Sequence, residues 1–390
     1  MSFYQLYDFC TVDRPLTPEQ RAEIDTYSSR SSPSSHRATF VYNYGDFQYE
    51  ALEVLLEHFD MALELNGWGT RRLMIKLPLE AVEVATMKRY NLGSSVFIRQ
   101  VYMGTRDAWA FLDLHWAEEE QYDWVEGEGV LDQLLPLRNQ LLQGDYRVLF
   151  LAWLHMAAGN AEMSEEEAYD EEEEMEIIEP PIPPGLGQLD DALESFIDFW
   201  QIDRGLIQAA AQHSAPKEPE PDFAGLISQL SSSEKDAFLK KVLQDSGPIS
   251  QQLRQHLRQL IPGEPQSVSP VSYSLDELLA DREHQWQLIK EAEREAEAQR
   301  HRAHMAQVKL RQNDMWAEVN ENAELKTARG YDTATELLVD LHAYAHFSSQ
   351  MIPFQNNLNK VLHRFGRSEA FQRRLKEKKV IKKSWRFSIK

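Results

Sequence analysis

Apolar residues recur with two different periods, which divide the chain into a mixed N-terminal part and a helical remainder. Between residues 38 and 116, β-branched and aromatic runs that indicate strands alternate with stretches of helical apolar spacing. The predicted elements, in chain order, are a strand at 38–44, a helix at 47–59, strands at 62–66 and 71–77, a helix at 79–90, and strands at 96–103 and 108–116. This order is typical of the ferredoxin-like plan. Residues 1–160 are therefore predicted to form an α+β domain, a ferredoxin-like-type α/β sandwich.

Local capping and stop signals place further helices in this domain. Thr17 is a suitable N-cap and Pro18 a suitable first helical residue, so a helix is predicted to begin there. Helices over about 130–143 and 145–158 are predicted to close the domain, with Gly144 as the stop between them.

A segment of unusual composition, residues 161–188, follows the α+β domain. Between Glu162 and Glu179 there are eleven acidic residues and no basic one, and a proline-rich stretch comes next. Runs of like charge resist compaction, and proline-rich segments are extended and semi-rigid. This segment is predicted to be an acidic, proline-rich linker. An alternative stays open, in which it is an acidic tether that competes with nucleic acid for a basic surface of this chain.

The remainder of the chain has helical spacing throughout and predicts an all-α half with one long helix. Residues 189–263 are compatible with a small helical bundle, and residues 331–390 with a helical C-terminal unit that ends in a basic tail. Between them, residues 274–330 form the long charged helix, which begins at the N-cap Ser274 and meets no glycine or proline before Gly330. Small and apolar residues at intervals of seven suggest a coiled coil, and a single helix solvated on most faces is the alternative.

Net charge and cysteine content indicate which partners and which cellular compartment to expect. The net charge of −22 repels nucleic acid and anionic membranes overall, so no membrane partner is expected. The opening residues lack the basic and apolar regions of a signal peptide, and no apolar stretch is long enough to span a membrane. The single cysteine, Cys10, suits a reducing compartment. We therefore expect a cytoplasmic protein.

The strongest candidate for binding is the basic end of the chain. From Lys360 to Lys390 there are twelve Lys or Arg residues against two Glu, a net charge of +10, with aromatic residues interleaved. This composition is typical of segments that bind nucleic acid or an acidic protein, although pairing with the chain's own acidic linker would use the same charges. The candidate residues are Arg373, Arg374, Lys378, Lys379, Lys382, Lys383 and Trp385.

A second candidate lies in the loop between two predicted strands of the N-terminal domain. Trp68 lies between two glycines, and Arg71 and Arg72 follow; such a hairpin could stack on a base or hold a phosphate or carboxylate. An enzyme of unrecognised class, with a site at these three residues and His115, is the alternative function. A packed hairpin with Trp68 in the core is the structural interpretation.

Searches for catalytic and cofactor motifs found none in the sequence. There is no phosphate-binding glycine loop, nucleophile elbow, metalloprotease motif, kinase motif set or EF-hand loop. His342 and His346 have metal-ligand spacing on a predicted helix but lack an evident third ligand. We therefore predict no catalytic residue, no cofactor and no metal site.

Two sets of motifs resemble known proteins. The segments 7–9, 13–17, 66–73 and 183–187 together resemble a family of bacterial proteins for which no activity is known. The C-terminal segments 331–334 and 337–341, followed by Phe354, are similar to the helical tail of bacterial proteins with a SWIM-type zinc finger. This chain lacks the Cys and His ligands of such a finger, so the second resemblance implies a helical interaction module and no zinc binding.

These features favour a non-enzymatic interaction or scaffold protein. In this hypothesis the helical, basic C-terminal half binds a protein partner or, alternatively, nucleic acid.

Overall fold

Six of the apolar runs form one antiparallel sheet in the computed structural model of the chain. Along the sheet the strand order is β2-β1-β3-β4-β6-β5, and every neighbouring pair is antiparallel. The strands are β1 (Gln5–Cys10), β2 (Arg37–Tyr42), β3 (Met61–Asn66), β4 (Arg71–Pro78), β5 (Val96–Met103) and β6 (Asp107–Trp116).

The structure describes most of the chain and divides it into two units. The described residues are 4–28, 31, 33–45, 47–67, 69–93, 95–103, 107–116, 127–166, 178–217, 221–243, 249–260 and 273–384. The first unit spans residues 1–286 and the second spans residues 287–390. The boundary between the two units lies inside the long helix, whereas composition predicted boundaries at residues 160, 188, 263 and 330.

The α+β class is confirmed, and the strand order departs from the ferredoxin-like plan. In the observed order β6 lies between β4 and β5, and β1, which is not among the predicted strands, lies between β2 and β3. A carboxylate in the middle of this strand, Asp8, interrupts its apolar pattern. Asp8 is nonetheless buried, because the guanidinium of Arg37 and the hydroxyl of Thr39 on β2 donate hydrogen bonds to it.

Two helices cover one face of the sheet. They are α1 (Pro18–Asp25) and α2 (Ala51–His58), and they enclose an aromatic core that includes Phe9, Phe40 and Phe59. The predicted start of α1 is confirmed by a capping box, in which the Thr17 hydroxyl accepts from the Gln20 backbone N–H and the Gln20 side chain accepts from the Thr17 N–H.

A larger helical layer covers the other face. The predicted helix at 79–90 is broken into a 3-10 turn, the short α3 (Val84–Met87) and a second 3-10 turn, because the backbone at Val82 is extended. The longer helices of the layer share one core with β3, β4 and β6. They are α4 (Val130–Leu142), α5 (Arg147–Glu166), α6 (Asp191–Trp200) and α7 (Arg204–Ala211).

The proline-rich part of the predicted linker is packed against the first unit. The Arg147 guanidinium donates to the backbone oxygens of Gly185 and Gln188, and the Tyr90 hydroxyl donates to the oxygen of Pro181. Leu186 is fully buried in the same core as the sheet. Residues 180–188 are therefore anchored, while most of the acidic run, residues 167–177, lies outside the described residues.

Three short helices and the long helix complete the first unit. The helices α8 (Phe223–Gln229), α9 (Ser232–Leu243) and α10 (Ile249–Gln259) contact one another through α10. The long helix α11 (Leu275–Glu324) begins as predicted, with a reciprocal cap between Ser274 and Glu277. Leu275 and Leu278 in its first turns belong to the core of the first unit.

The second unit is a helical bundle with its own apolar core. Residues of α11 from Met305 onward pack with α12 (Ala328–Phe347), α13 (Met351–Phe365) and α14 (Glu369–Glu377). Val380 and Ile381, just beyond α14, also belong to this core. Among the described helices of the whole chain, none combines the length and the apolar character that crossing a bilayer requires.

Candidate functional site

The two predicted arginines of the N-terminal domain lie on opposite faces of the sheet. Arg71 faces the larger helical layer, where its Nη1 donates to the backbone oxygen of Phe199 at 2.6 Å and its guanidinium lies 5.6 Å from the Phe199 ring centroid. It is buried, like Leu73 on the same face of β4. Adjacent strand residues point to opposite faces, so the side chains of Arg71 and Arg72 do not converge.

Arg72 is held in an ion-pair network across three strands. Its Nε and Nη2 donate to the two carboxylate oxygens of Asp113, each at 2.8 Å, and its Nη1 lies 3.3 Å from Oε2 of Glu64. These hydrogen bonds to Asp113, followed by the charge of Asp113, raise the pKa of the Arg72 guanidinium. Arg72 therefore already has two carboxylate partners within the sheet.

Of the remaining members of the candidate enzyme site, His115 lies beside Arg72 on the sheet, and the position of Trp68 is not described. His115 is half-buried on β6, directly across from Arg72 in the strand register. Trp68 lies outside the described residues. The titratable group near Arg71 is instead His155 of α5, whose ring lies 4.6 Å from that of Trp116. Burial, followed by the charge of Arg71, lowers the pKa of His155 to about 4.

The basic residues at the C-terminal end do share one part of the second unit. Five of them are exposed on α14 and on the turn that follows it, and we call them the basic cluster: Arg373, Lys378, Lys379, Lys382 and Lys383. Arg373 lies 3.8 Å from Glu377. Within the described part of the chain, none of the four lysines forms an ion pair or a hydrogen bond through its side chain. Trp385 lies beyond the described residues.

Arg374 differs from its neighbours because it joins two helices. Its guanidinium pairs with Asp332 on α12, and only 17% of its side chain is exposed. The hydrogen bond from Arg374 lowers the pKa of the Asp332 carboxyl. Arg374 thus has a structural partner, whereas the basic cluster faces solvent.

A well-defined helix end supports the basic cluster. Lys379 adopts a left-handed backbone with φ of 59°, and the Val380 N–H donates to the oxygen of Leu375. Val380 then packs into the core of the second unit. This is the hydrogen bonding of a Schellman-type C-cap, with its usual apolar contact, so the lysines flank a fixed turn.

The histidine pair on α12 stacks without a third ligand. The rings of His342 and His346 lie 4.7 Å apart in an edge-to-face arrangement, and His342 also contacts Phe354. Burial, followed by the neighbouring His346, lowers the pKa of His342. Neither residue belongs to a group of three metal-ligating side chains in the described part of the chain.

One group of metal-ligating side chains occurs at a place that the sequence analysis did not identify. Glu23, Glu57 and His58 each offer one ligand atom, and these atoms lie within 4.8 Å of one another among the described residues. Glu57 and His58 are adjacent, but Glu23 lies on another helix, and no motif links the three positions.

Comparison with known proteins finds no matching family model, curated protein or solved structure.

Proposed function

We propose that this chain is a non-enzymatic interaction protein whose basic cluster binds an acidic surface of a protein partner. The observation that supports the proposal is the set of four exposed lysines, Lys378, Lys379, Lys382 and Lys383, without carboxylate partners among the described residues. They stand out in a chain of net charge −22, where acidic residues outnumber basic ones by 63 to 41.

The setting of the cluster suits recognition of a folded partner. Lysines on a fixed turn lose less conformational freedom on binding than lysines on a free tail, so more of the interaction energy becomes affinity. An open groove of about 460 Å³ lies beside the cluster and is lined by Glu369, Gln372, Arg373, Lys376, Glu377 and Lys383. Its mixed charges give a partner both cationic and anionic contacts, which favours specificity.

Two further parts of the proposal concern origin and compartment. Cys10 is a free, buried thiol, and burial raises its pKa to about 11, so it is protonated and unreactive at neutral pH. A lone protected thiol favours the reducing cytoplasm, and we infer a cytoplasmic location. The resemblance to bacterial proteins supports assigning the chain to a bacterial family.

Co-purification from the native host tests the proposed partner. The test variant changes four lysines of the basic cluster to glutamine: K378Q, K379Q, K382Q and K383Q. The matched control removes four exposed positive charges from α11: R294Q, R300Q, R302Q and K309Q. A protein that co-purifies with wild type and control, and is lost with the test variant, is the expected result. Equal recovery with all three forms contradicts the proposal.

A nuclease-treated sample separates the protein partner from the nucleic-acid alternative. Partners that survive nuclease treatment support direct protein binding, whereas partners lost on treatment indicate that nucleic acid bridges the complex. In the second case, binding of the full chain to a single-stranded oligonucleotide would weaken steeply with salt. The slope of log K against log salt would then fall by about three for the test variant, since roughly 0.7 counterions are released per phosphate contact with a single strand.

A further inference from the structure

The C-terminal ends of α1 and α2 bring two glutamates to one histidine. Oε2 of Glu23 lies 4.0 Å from Nε2 of His58, and Oε2 of Glu57 lies 3.9 Å from the same nitrogen. Both distances exceed the length of a hydrogen bond. The carboxylates are therefore gathered around Nε2 without being bonded to it.

The histidine is buried, and the glutamates are exposed. The His58 side chain is 2% exposed, and the side chains of Glu23 and Glu57 are 52% and 59% exposed. The Tyr27 hydroxyl lies 3.0 Å from Nε2, and the Tyr27 ring stacks on Tyr49. The other ring nitrogen, Nδ1, is buried and has no hydrogen-bond partner among the described residues.

No lysine or arginine of the described residues forms an ion pair with the two glutamates. The ion-pair contacts recorded for Glu23 and Glu57 are those with His58. Two carboxylates that converge without a lysine or arginine repel each other, and a bound cation would remove that repulsion. This group therefore differs from Arg72 with Glu64 and Asp113, where a guanidinium already balances the charge.

We propose that Glu23, Glu57 and His58 form a binding site for a divalent transition metal ion, with Zn²⁺ as the ion that fits best. One imidazole nitrogen and two carboxylate oxygens are ligands that Zn²⁺ accepts at about 2.0–2.2 Å. Two glutamates and a neutral histidine give an electrically neutral site with a divalent ion. The exposed glutamates must move inward, and the Tyr27 hydroxyl must give up its hydrogen bond with Nε2, while His58 keeps its place. A fourth position remains for water or for the Tyr27 hydroxyl.

The first experiment measures Zn²⁺ binding to the full chain by equilibrium dialysis. Glu23→Gln and Glu57→Gln each remove one charged ligand at an exposed position and leave the fold intact. Glu53→Gln, one turn before Glu57 on the exposed face of α2, is the matched control. We expect one tight equivalent of Zn²⁺ in wild type and E53Q, and affinity at least about tenfold lower in E23Q and E57Q.

The acidic run at 162–179 also attracts cations, and the same variants distinguish that weak binding from the site. If E23Q and E57Q bind Zn²⁺ as wild type does, the ions are held elsewhere and the proposal fails. Binding of no tight equivalent by wild type also overturns it.

A second measurement identifies the histidine ligand. With Co²⁺ as the probe, a tetrahedral site with an imidazole ligand gives visible absorption bands, and His58→Gln should abolish them. Circular dichroism of H58Q shows whether the fold survives the substitution. Bands that persist in a folded H58Q protein would contradict the assignment of His58.

Discussion

Single buried arginines join segments that are distant in sequence. Arg138 of α4 is 0% exposed, its Nη1 and Nη2 donate to the two oxygens of Asp13 at 2.8 and 2.6 Å, and its Nε donates to the backbone oxygen of Lys76. Asp13, in contrast, keeps 38% of its side chain exposed. Removing Asp13 therefore leaves a buried charge, whereas removing Arg138 leaves a partly exposed charge.

Removing the carboxylate should cost more stability than removing the arginine. Asp13→Ala leaves a buried guanidinium without its counter-charge, which typically costs about 3–5 kcal/mol. Arg138→Met leaves a carboxylate that water can reach, so a smaller loss of about 1–3 kcal/mol is expected. Urea unfolding measures the free energy of unfolding of both variants. A larger loss in R138M than in D13A would contradict this explanation.

His155 should make the stability of the first unit depend on pH. Burial, then the charge of Arg71, lowers its folded-state pKa to about 4, below the unfolded value of 6.5. The unfolded state therefore binds more protons between these values. The neutral imidazole contributes stability that is fully present above pH 6.5 and is lost as the pH falls toward 4, in total about 3 kcal/mol.

Glutamine at position 155 removes this titration. The drop in Tm between pH 7 and pH 4.5 should be smaller for His155→Gln than for wild type, measured by thermal unfolding of each protein at both values. His284→Gln, at an exposed position of α11, should keep the wild-type dependence. A drop of equal size in H155Q and wild type would mean that His155 is not the group responsible.

At the scale of elements, a glycine allows α7 and the start of α11 to approach closely. A Cβ atom at Gly205 would lie 2.5 Å from Cδ1 of Trp286 and 2.7 Å from the backbone oxygen of Arg282. The indole Nε1 of Trp286 also donates to Asp203, the N-cap of α7, at 2.8 Å. The contact thus combines a steric requirement with a specific hydrogen bond.

Gly205→Ala should therefore destabilise the first unit. One of its close neighbours is a backbone atom, so the helices must separate, and overpacking of this kind costs about 1–3 kcal/mol. Gly187→Ala is the control, because nothing lies within 4 Å of its added Cβ, and its effect should stay within about 0.5 kcal/mol. Thermal unfolding measures the loss of stability in both variants. Equal losses in G205A and G187A would contradict the steric explanation.

At the scale of the whole molecule, the second unit has an apolar core of its own, which implies two units that fold independently. The core of the second unit is built from residues between Met305 and Ile381, all beyond the boundary at Trp286. A domain with its own core can fold alone. The basic cluster belongs entirely to this second unit.

The fragment 287–390 should fold without the rest of the chain. We expect it to be helical and to unfold cooperatively on heating, as followed by circular dichroism at 222 nm, because its core needs no residue of the first unit. A gradual loss of helicity without a transition would show that the second unit depends on the first.

Local signals in the sequence were sufficient for many elements. The start of α1 at Thr17, the start of α11 at Ser274 and the β3–β4 and β5–β6 hairpins were predicted, because capping residues, turn glycines and apolar periods act over a few residues. The sequence analysis grouped Arg71 and Arg72 as one candidate site, whereas strand alternation places the two side chains on opposite faces of the sheet. The lysines of the basic cluster were also named as binding candidates from the sequence, because Lys and Arg outnumber Glu in residues 360–390.

Contacts between distant segments were decided only by the tertiary structure. The place of β1 in the sheet depends on Arg37, which neutralises the buried Asp8, and the anchoring of residues 180–188 depends on Arg147. The group Glu23, Glu57 and His58 likewise forms because two helices end at the same place on the sheet. Such contacts depend on how elements pack, and no short stretch of sequence encodes a partner tens of residues away.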